Sequence, residues 1–143
     1  MINDGWTKER INEFNKGTLM DVLEIECQEV GSNFIVATMP VTPRVKQPMG
    51  LMHGGASMVL IESIGSMGSA CLVDLEKKAP VGLEINANHI GSMKSGVVKA
   101  VGKLIHCGNT THIWQVDLFD MDSNKLICTG RLTVLIIDKK QTN

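Results

Sequence analysis

The sequence predicts an α+β fold in which a curved antiparallel sheet wraps around one long central helix. The segment from Leu51 to Val73 predicts the helix, because Glu62 is the only formally charged residue between Lys46 and Asp74 and a helix that is apolar on nearly all sides is normally buried. Runs in which apolar and polar residues alternate, two before this segment and four after it, predict the strands. With 143 residues, the chain has about the length of one domain.

The first part of the chain predicts a short helical arm. Thr7 can cap a helix in which Ile11 and Phe14 share a face. We expect this arm to occupy residues 1–19 of a single domain that spans residues 1–143. It would act as a lid or pack against the rest of the domain.

Two strands are predicted before the long helix. The first begins at Met20, where apolar and polar residues start to alternate, and the second covers Phe34 to Met39. A turn over residues 31–33 joins them. Pro40 closes the second strand, and a loop that also contains Pro48 leads to the helix, because proline continues neither a helix nor a strand ladder.

The long helix should run from Gly55 or Ala56 to Val73 and be followed by an antiparallel meander of four strands. The predicted strands are Val81 to Ile90, Val97 to Ile105, Thr111 to Phe119 and Leu126 to Ile137. The connections between them are short enough for hairpins. Since one helix covers only one face of such a sheet, the outer face or an edge strand must be solvated or paired with a second copy, most commonly as a two-fold dimer.

Composition argues against nucleic acid and membranes as partners. The net charge is -1 and aromatic residues make up 3% of the chain, so neither a basic surface nor a set of stacking rings is available for nucleic acid. The long apolar segment contains many glycines and serines together with Glu62, which is atypical of a membrane-spanning helix. The first ten residues carry two charges of each sign and no apolar core. We therefore expect a cytoplasmic protein.

No residue pattern indicates a metal site or another cofactor. Cys27, Cys71, Cys107 and Cys128 lack CxxC spacing and occur in hydrophobic or strand-like runs, so we expect buried thiols rather than disulfides or metal ligands. The four histidines lack HExxH or another recognised ligand spacing. The GSMG sequence at residues 65–68 is not the GxSxG turn of serine hydrolases and follows no predicted strand.

The start of the long helix is the first candidate for chemistry. His53, Gly54 and Gly55 include none of the Ser, Thr, Asp or Asn residues that usually cap the first amides. Those N–H groups would be free to face a ligand at the positive end of the helix dipole and to stabilise an oxyanion at a carbonyl under attack. The alternative is that the glycines only allow a tight turn.

Glu62 is the second candidate. Burying a lone carboxylate is costly unless it is paired or protonated. At helical spacing Glu62 shares a stripe with Gly55, Val59, Ser66 and Ser69, where small and hydroxyl side chains leave space beside it. Such a carboxylate suits a general base or a nucleophile. Hydrogen bonds to backbone or polar groups would instead give it a structural role only.

The spacing of these two candidates predicts how they cooperate. Gly55 and Glu62 are seven residues apart, which is about 10 Å along one helix. A reacting carbonyl has to lie about 3 Å from both groups. Two copies packed antiparallel across a two-fold axis could bring Glu62 of one chain opposite Gly55 of the other, so we expect an obligate dimer with two equivalent sites at its interface.

Three stretches of the sequence resemble a known family. QPMGLMHGGASMVLIESIGSMG, VGLEINANHI and HIWQVDLFD are similar to sequences of the hotdog-fold acyl-CoA thioesterases of the 4-hydroxybenzoyl-CoA thioesterase superfamily, and the likeness covers residues 20–137. The resemblance implies a sheet around a central helix, sites across a dimer, and commonly a tetramer of two dimers. It also implies hydrolysis of an acyl-CoA without a metal or cofactor. The alternative on the same fold is a non-catalytic module that binds acyl thioesters or lipids.

The resemblance implies roles for individual residues. Glu62 matches the residue that attacks the thioester carbonyl or activates water, and Gly55 matches the donor of a backbone N–H to the thioester oxygen. Gln47 and His53 match residues that position the acyl group. Ser66 matches a hydroxyl residue that holds the hydrolytic water.

Contacts to substrate and coenzyme A are implied at Gly82, His89, Ser92, His106 and Gly108. Close relatives tend to have Arg where this chain has Gly91, so the phosphates of coenzyme A need another donor. The alternatives for that role are Lys94 and the amides around Gly108 and Asn109.

The acyl group itself is predicted only as a class. Methionines near the site predict an adaptable apolar lining, which suits aromatic or medium-chain acyl groups; they are Met49, Met52, Met58 and Met67. A substrate carried by an acyl-carrier protein would require a basic patch, which the net charge of -1 does not suggest.

Overall fold

Six strands form one antiparallel sheet in the computed structural model, which describes residues 1–2 and 5–139. The strands are β1 (Glu26–Val30), β2 (Phe34–Pro40), β3 (Lys78–His89), β4 (Val97–Cys107), β5 (Thr111–Asp120) and β6 (Leu126–Asp138). Their order across the sheet is β1-β2-β4-β5-β6-β3. The helices are α1 (Lys8–Phe14), α2 (Leu19–Val22) and α3 (Gly54–Ala70), and Pro43–Val45 forms a 3-10 turn.

Helix α3 packs closely on the sheet because small residues let the two surfaces meet. A Cβ atom at Gly68 would overlap with the ring of Trp114, and one at Gly65 would overlap with Leu132. The indole N–H of Trp114 donates to Ser69 Oγ at 2.9 Å, so this buried polar group is satisfied. These contacts fix the position of α3 and therefore of the residues on its other side.

The strand order differs from the predicted meander. β4, β5 and β6 are consecutive neighbours, but β3 pairs with β6 instead of β4, and β2 pairs with β4. The segment 91–96 therefore crosses the sheet and does not form a hairpin. A segment of this length can either form a hairpin or cross to a more distant strand. Its length therefore does not predict that β2, rather than β3, pairs with β4.

The first strand begins later than the sequence predicts. Residues from Met20 onward, expected to be extended, belong to α2, whose N-cap Thr18 accepts a hydrogen bond from the Met20 amide at 3.3 Å. The strand begins only at Glu26, after Glu24 adopts a positive φ of 55°. The local cap therefore overrides the alternating pattern.

Helices α1 and α3 lie where the sequence predicts them, but the exposure of one residue and the end of one helix differ from the prediction. Thr7 caps α1 as expected, and its side chain accepts from the Arg10 amide at 3.3 Å. Ile11 is buried, whereas Phe14 is 63% exposed. Helix α3 ends at Ala70, earlier than expected. None of the helices in the described part of the chain is long and apolar enough to cross a membrane.

The cysteines are free thiols. Cys27, Cys71 and Cys128 are buried, as the sequence predicts, but Cys107 is exposed at the end of β4. The prediction of a buried thiol is therefore wrong for Cys107. Among residues 1–2 and 5–139, no group of three or more His, Cys, Asp or Glu side chains could hold a metal ion.

Candidate active site

One side of helix α3 is not covered by the sheet. We call it the open face, and its half-buried residues are Met58, Val59, Glu62, Ser63 and Ser66. The sequence predicts a buried carboxylate at Glu62, but in the single chain this residue is only half-buried. Glu62 lies on the side of α3 that the sheet does not cover, whereas the buried residues of the helix lie on the other side.

Ser66 and Gly82 border the carboxylate of Glu62. Ser66, one turn later on the helix, donates from Oγ to Glu62 Oε1 at 3.3 Å. The backbone of Gly82 lies so close that a Cβ atom there would overlap with Glu62 Oε1 and lie 3.0 Å from Cδ. The register of β3 against β6 shifts between Gly82 and Glu84, as at a β-bulge. The structure thus brings three of the predicted site residues together.

His53 caps the start of α3 with its side chain. Its Nδ1 accepts a hydrogen bond from the Gly55 N–H at 2.7 Å, so the prediction of an uncapped helix start is wrong. An unprotonated imidazole nitrogen is an acceptor, although histidine is not among the usual capping residues. The Gly55 N–H can therefore reach a ligand oxygen only when His53 turns away. Both residues are exposed, which leaves room for this movement.

His89 and Gln47 lie near the same helix start. Nε2 of His89, at the end of β3, would be 2.9 Å from a Cβ atom at Gly54. Gln47 lies in the preceding loop, where its Oε1 accepts from the Met49 amide and its backbone N–H donates to the carbonyl oxygen of Leu51 at 2.8 Å. An antiparallel bridge within this loop returns the chain toward the helix.

His106, Gly108 and Asn109 lie near the opposite end of α3. Gly108 and Asn109 line a recess together with Leu72 and Val73, which follow the helix. Nε2 of His106 would be 2.7 Å from a Cβ atom at Gly108. Since α3 has 17 residues, about 25 Å, this group lies far from the helix start of its own chain.

The predicted site residues therefore fall into three groups along α3. The groups are Glu62, Ser66 and Gly82 at its middle, Gln47, His53, Gly55 and His89 at its start, and His106, Gly108 and Asn109 toward its end. Ser92 and Lys94 are exposed in the segment that follows β3. Within one chain, these three groups lie apart along α3 and do not form one site.

An apolar cavity that the sequence did not predict lies beside the open face. It has a volume of about 190 Å³ and is lined by Trp6, Ile11, Phe14, Asn15, Met20, Ser66, Met67, Ala70, Cys71 and Pro80. Ser66 links the cavity to the carboxylate, because it lines the cavity and bonds to Glu62. Of the methionines expected to form an apolar lining, Met67 lines this cavity, whereas Met49 is 80% exposed. The cavity depends on where the N-terminal arm packs, and local sequence patterns do not reveal that.

Cys71 is a second nucleophilic side chain at this cavity. Burial raises the pKa of its thiol to about 12. At neutral pH the thiol is therefore protonated and a poor nucleophile. This leaves Glu62 as the candidate nucleophile or base in this part of the molecule.

Comparison with known proteins assigns the chain to a family. Residues 49–127 match the family described as Thioesterase superfamily. Over 131 residues the chain is 44% identical to the 1,4-dihydroxy-2-naphthoyl-CoA hydrolase of Escherichia coli, and the match covers 92% of this chain and 95% of that protein. The chain belongs to the thioesterase superfamily.

A second relative and a solved structure that the chain resembles are also thioesterases by name. The chain is 37% identical over 131 residues to the proofreading thioesterase EntH of Cronobacter turicensis, a match that covers 92% of this chain and 94% of that protein. The crystal structure of a mutant thioesterase from Pseudomonas aeruginosa superposes with a TM-score of 0.92 at 41% identity, covering 96% of this chain and 98% of that one. The predicted hotdog fold and the prediction of a thioester-hydrolysing enzyme are confirmed.

Proposed function

We propose that this thioesterase hydrolyses an aromatic or medium-chain acyl-CoA to the free acid and coenzyme A. The observation that carries the proposal is the position of Glu62, whose carboxylate bonds to Ser66 at the edge of an apolar cavity. An apolar acyl group can enter the cavity while its thioester carbonyl stays at the carboxylate. The Escherichia coli relative is named for a naphthoyl-CoA, which supports an aromatic acyl group here.

Glu62 acts as a nucleophile or as a general base. As a nucleophile, its carboxylate attacks the thioester carbonyl, the carbon–sulfur bond breaks, and coenzyme A leaves as a thiolate that takes up a proton. Water then hydrolyses the anhydride that has formed. As a base, Glu62 takes a proton from a water molecule that attacks the carbonyl directly, after which the carbon–sulfur bond breaks and coenzyme A leaves as a thiolate that takes up a proton. Ser66 Oγ lies 3.3 Å from Glu62 Oε1 and can hold that water in either route.

The Gly55 N–H stabilises the oxyanion that forms on the carbonyl oxygen. This N–H belongs to the first turn of α3, at the positive end of the helix dipole. In the free protein it donates to His53 Nδ1 at 2.7 Å, so the substrate oxygen replaces the imidazole. Once released, His53 and the nearby Gln47 position the acyl group.

A second copy of the chain completes each site. Gly55 and Glu62 lie on the same helix, about 10 Å apart. The edge strand β3 exposes Val81 at 45% and Leu83 at 59%, on either side of Gly82, and an unpaired edge with apolar side chains favours association with another chain. An antiparallel dimer sets Glu62 of one chain opposite Gly55 of the other, and two such dimers give the tetramer that the family resemblance implies.

Coenzyme A contacts both chains of this dimer. Its contacts are assigned to Gly82, His89, Ser92, His106, Gly108 and Asn109. In the antiparallel arrangement, the helix start of one chain lies on the same side as the helix end of the other. The group near the end of α3 and the partner's group near the start of α3 therefore hold one coenzyme A between them.

Release of free thiol from a panel of aromatic and aliphatic acyl-CoAs tests the proposal. Glu62→Gln keeps the shape of the side chain but removes the nucleophile or base, so kcat should fall at least about a thousandfold with an unchanged thermal unfolding curve. Glu26→Gln neutralises an exposed carboxylate of β1, at the opposite edge of the sheet, that accepts from Gln28 Nε2, and this matched control should keep normal turnover. Near-normal turnover of Glu62→Gln would refute the role of Glu62. A wild-type enzyme that releases thiol from no acyl-CoA would refute the function.

A further inference from the structure

The apolar cavity contains a buried polar group that the proposed reaction does not use. Asn15, directly after α1, is 3% exposed and lines the cavity. Its Nδ2 donates to the sulfur of Met67 at 3.1 Å, and a thioether sulfur is a weak acceptor. Its Oδ1 has no hydrogen-bond partner within residues 1–2 and 5–139. A buried carbonyl oxygen without a partner destabilises a fold. Oδ1 of this cavity-lining residue is shielded in the free protein and therefore points to a ligand that reaches it and donates to it.

The position of the cavity indicates which ligand this is. Ser66 lines the cavity and donates to Glu62 Oε1 at 3.3 Å, so an acyl group whose carbonyl is attacked at Glu62 adjoins this cavity. Met67 follows Ser66 in α3, and its sulfur contacts the side-chain amide of Asn15. Because a methionine side chain is flexible, Met67 can turn aside and let a ligand reach Asn15.

The size of the cavity limits the acyl group. A cavity of about 150 Å³ takes up a benzene ring, and this one measures about 190 Å³. A single aromatic ring with a small substituent therefore fits. The lining side chains other than Asn15 and Ser66 are apolar, carry sulfur or, in Trp6, offer only a donor N–H. Because Ser66 bonds to Glu62, a hydroxyl group on the ring finds its free acceptor at Asn15.

We infer that the carbonyl oxygen of Asn15 determines specificity by accepting a hydrogen bond from a hydroxyl group on the ring of the acyl group. The inference rests on the proposed function, because it takes Glu62 as the position of the thioester. A methyl group in place of the hydroxyl has a similar shape but leaves Oδ1 buried and unpaired. Sites built to bond a substrate hydroxyl reject the analogue that lacks it for this reason.

Binding of two thioether analogues tests the inference without catalysis. In 4-hydroxyphenacyl-CoA and 4-methylphenacyl-CoA a methylene group separates the carbonyl from sulfur, so neither is hydrolysed, and isothermal titration gives both dissociation constants. The wild type should bind the hydroxyl analogue at least about tenfold more tightly. Asn15→Leu, of similar shape but without the acceptor, should abolish or reverse this ratio. Ser57→Ala removes another buried oxygen without a described partner, outside the cavity lining, and should leave the ratio unchanged.

The outcomes separate this inference from the proposed function. Equal binding of the two analogues by the wild type would overturn the specificity role of Asn15. An Asn15→Leu variant that binds both analogues more weakly by the same factor would overturn it too. Failure of both analogues to bind the wild type would overturn it as well. Normal turnover of Glu62→Gln, by contrast, would refute the catalytic role of Glu62 while a hydroxyl preference that depends on Asn15 persists.

Discussion

The two sides of helix α3 differ in what their residues do. On the sheet side, Gly68 adjoins the ring of Trp114, and Ser69 accepts the indole N–H. On the open face, Glu62 and Ser66 are half-buried and bond to each other. One side fixes the helix in the sheet, while the other keeps a carboxylate accessible. A substitution on the sheet side should therefore change stability, and one beside the open face should change activity.

Gly82→Ala, beside the open face, should cause a large loss of activity and leave the packing on the sheet side intact. The new Cβ would overlap with Glu62 Oε1, and the carboxylate, at the end of a flexible side chain, would move away. A displacement of about 1 Å can cost about a hundredfold in rate, so kcat should fall by about that factor while the midpoint of thermal unfolding stays unchanged. Asn86→Ala, an exposed position on the same strand, is the control. Unchanged turnover of Gly82→Ala would mean that this contact does not position the carboxylate.

Gly68→Ala is the corresponding change on the sheet side, with a smaller expected effect. The Trp114 ring is fully buried and tied to Ser69, and overpacking a filled core costs about 1–3 kcal/mol of the free energy of unfolding. Alanine is the better helix former by at most about 1 kcal/mol, which offsets only part of this cost. Urea denaturation measures the change, and the folded variant should keep its turnover.

Ser63→Ala, on the open face of the same helix, is the matched control for Gly68→Ala. Ser63 is half-buried, so its replacement should change the free energy of unfolding by less than about 0.5 kcal/mol. If the two variants are equally stable, the distinction between the packed side and the open face is wrong.

The sequence was informative where the pattern is local. A long apolar segment interrupted by Glu62 predicts the central helix, and alternation predicts β4, β5 and β6 to within two residues of their observed ends. The resemblance of the motifs then predicts the hotdog fold and a thioesterase. Local capping was less predictable, because His53 fills a position that serine or threonine usually occupies.

Non-local features could not be predicted from the pattern. The pairing of β3 with β6 depends on which strand occupies the free edge of β4, and the connection lengths do not specify this. The cavity beside Ser66 forms only because the arm that carries Asn15 packs against α3. Neither contact leaves a periodic signal, since the residues involved are far apart in the sequence.

Mixing two inactive variants tests most directly whether each site takes Glu62 from one chain and Gly55 from the other. Glu62→Gln removes the carboxylate. Gly55→Pro removes the N–H, and proline is tolerated in the first turn of a helix. In a mixed dimer, one site carries both changes and the other carries neither.

The two variants are mixed in equal amounts, allowed to exchange chains, and assayed for thiol release. Random pairing makes half of the dimers mixed, so activity should recover to about a quarter of the wild-type value, because one of two sites in each mixed dimer is intact. A mixture that exchanges chains and stays as inactive as its parents would contradict the shared site.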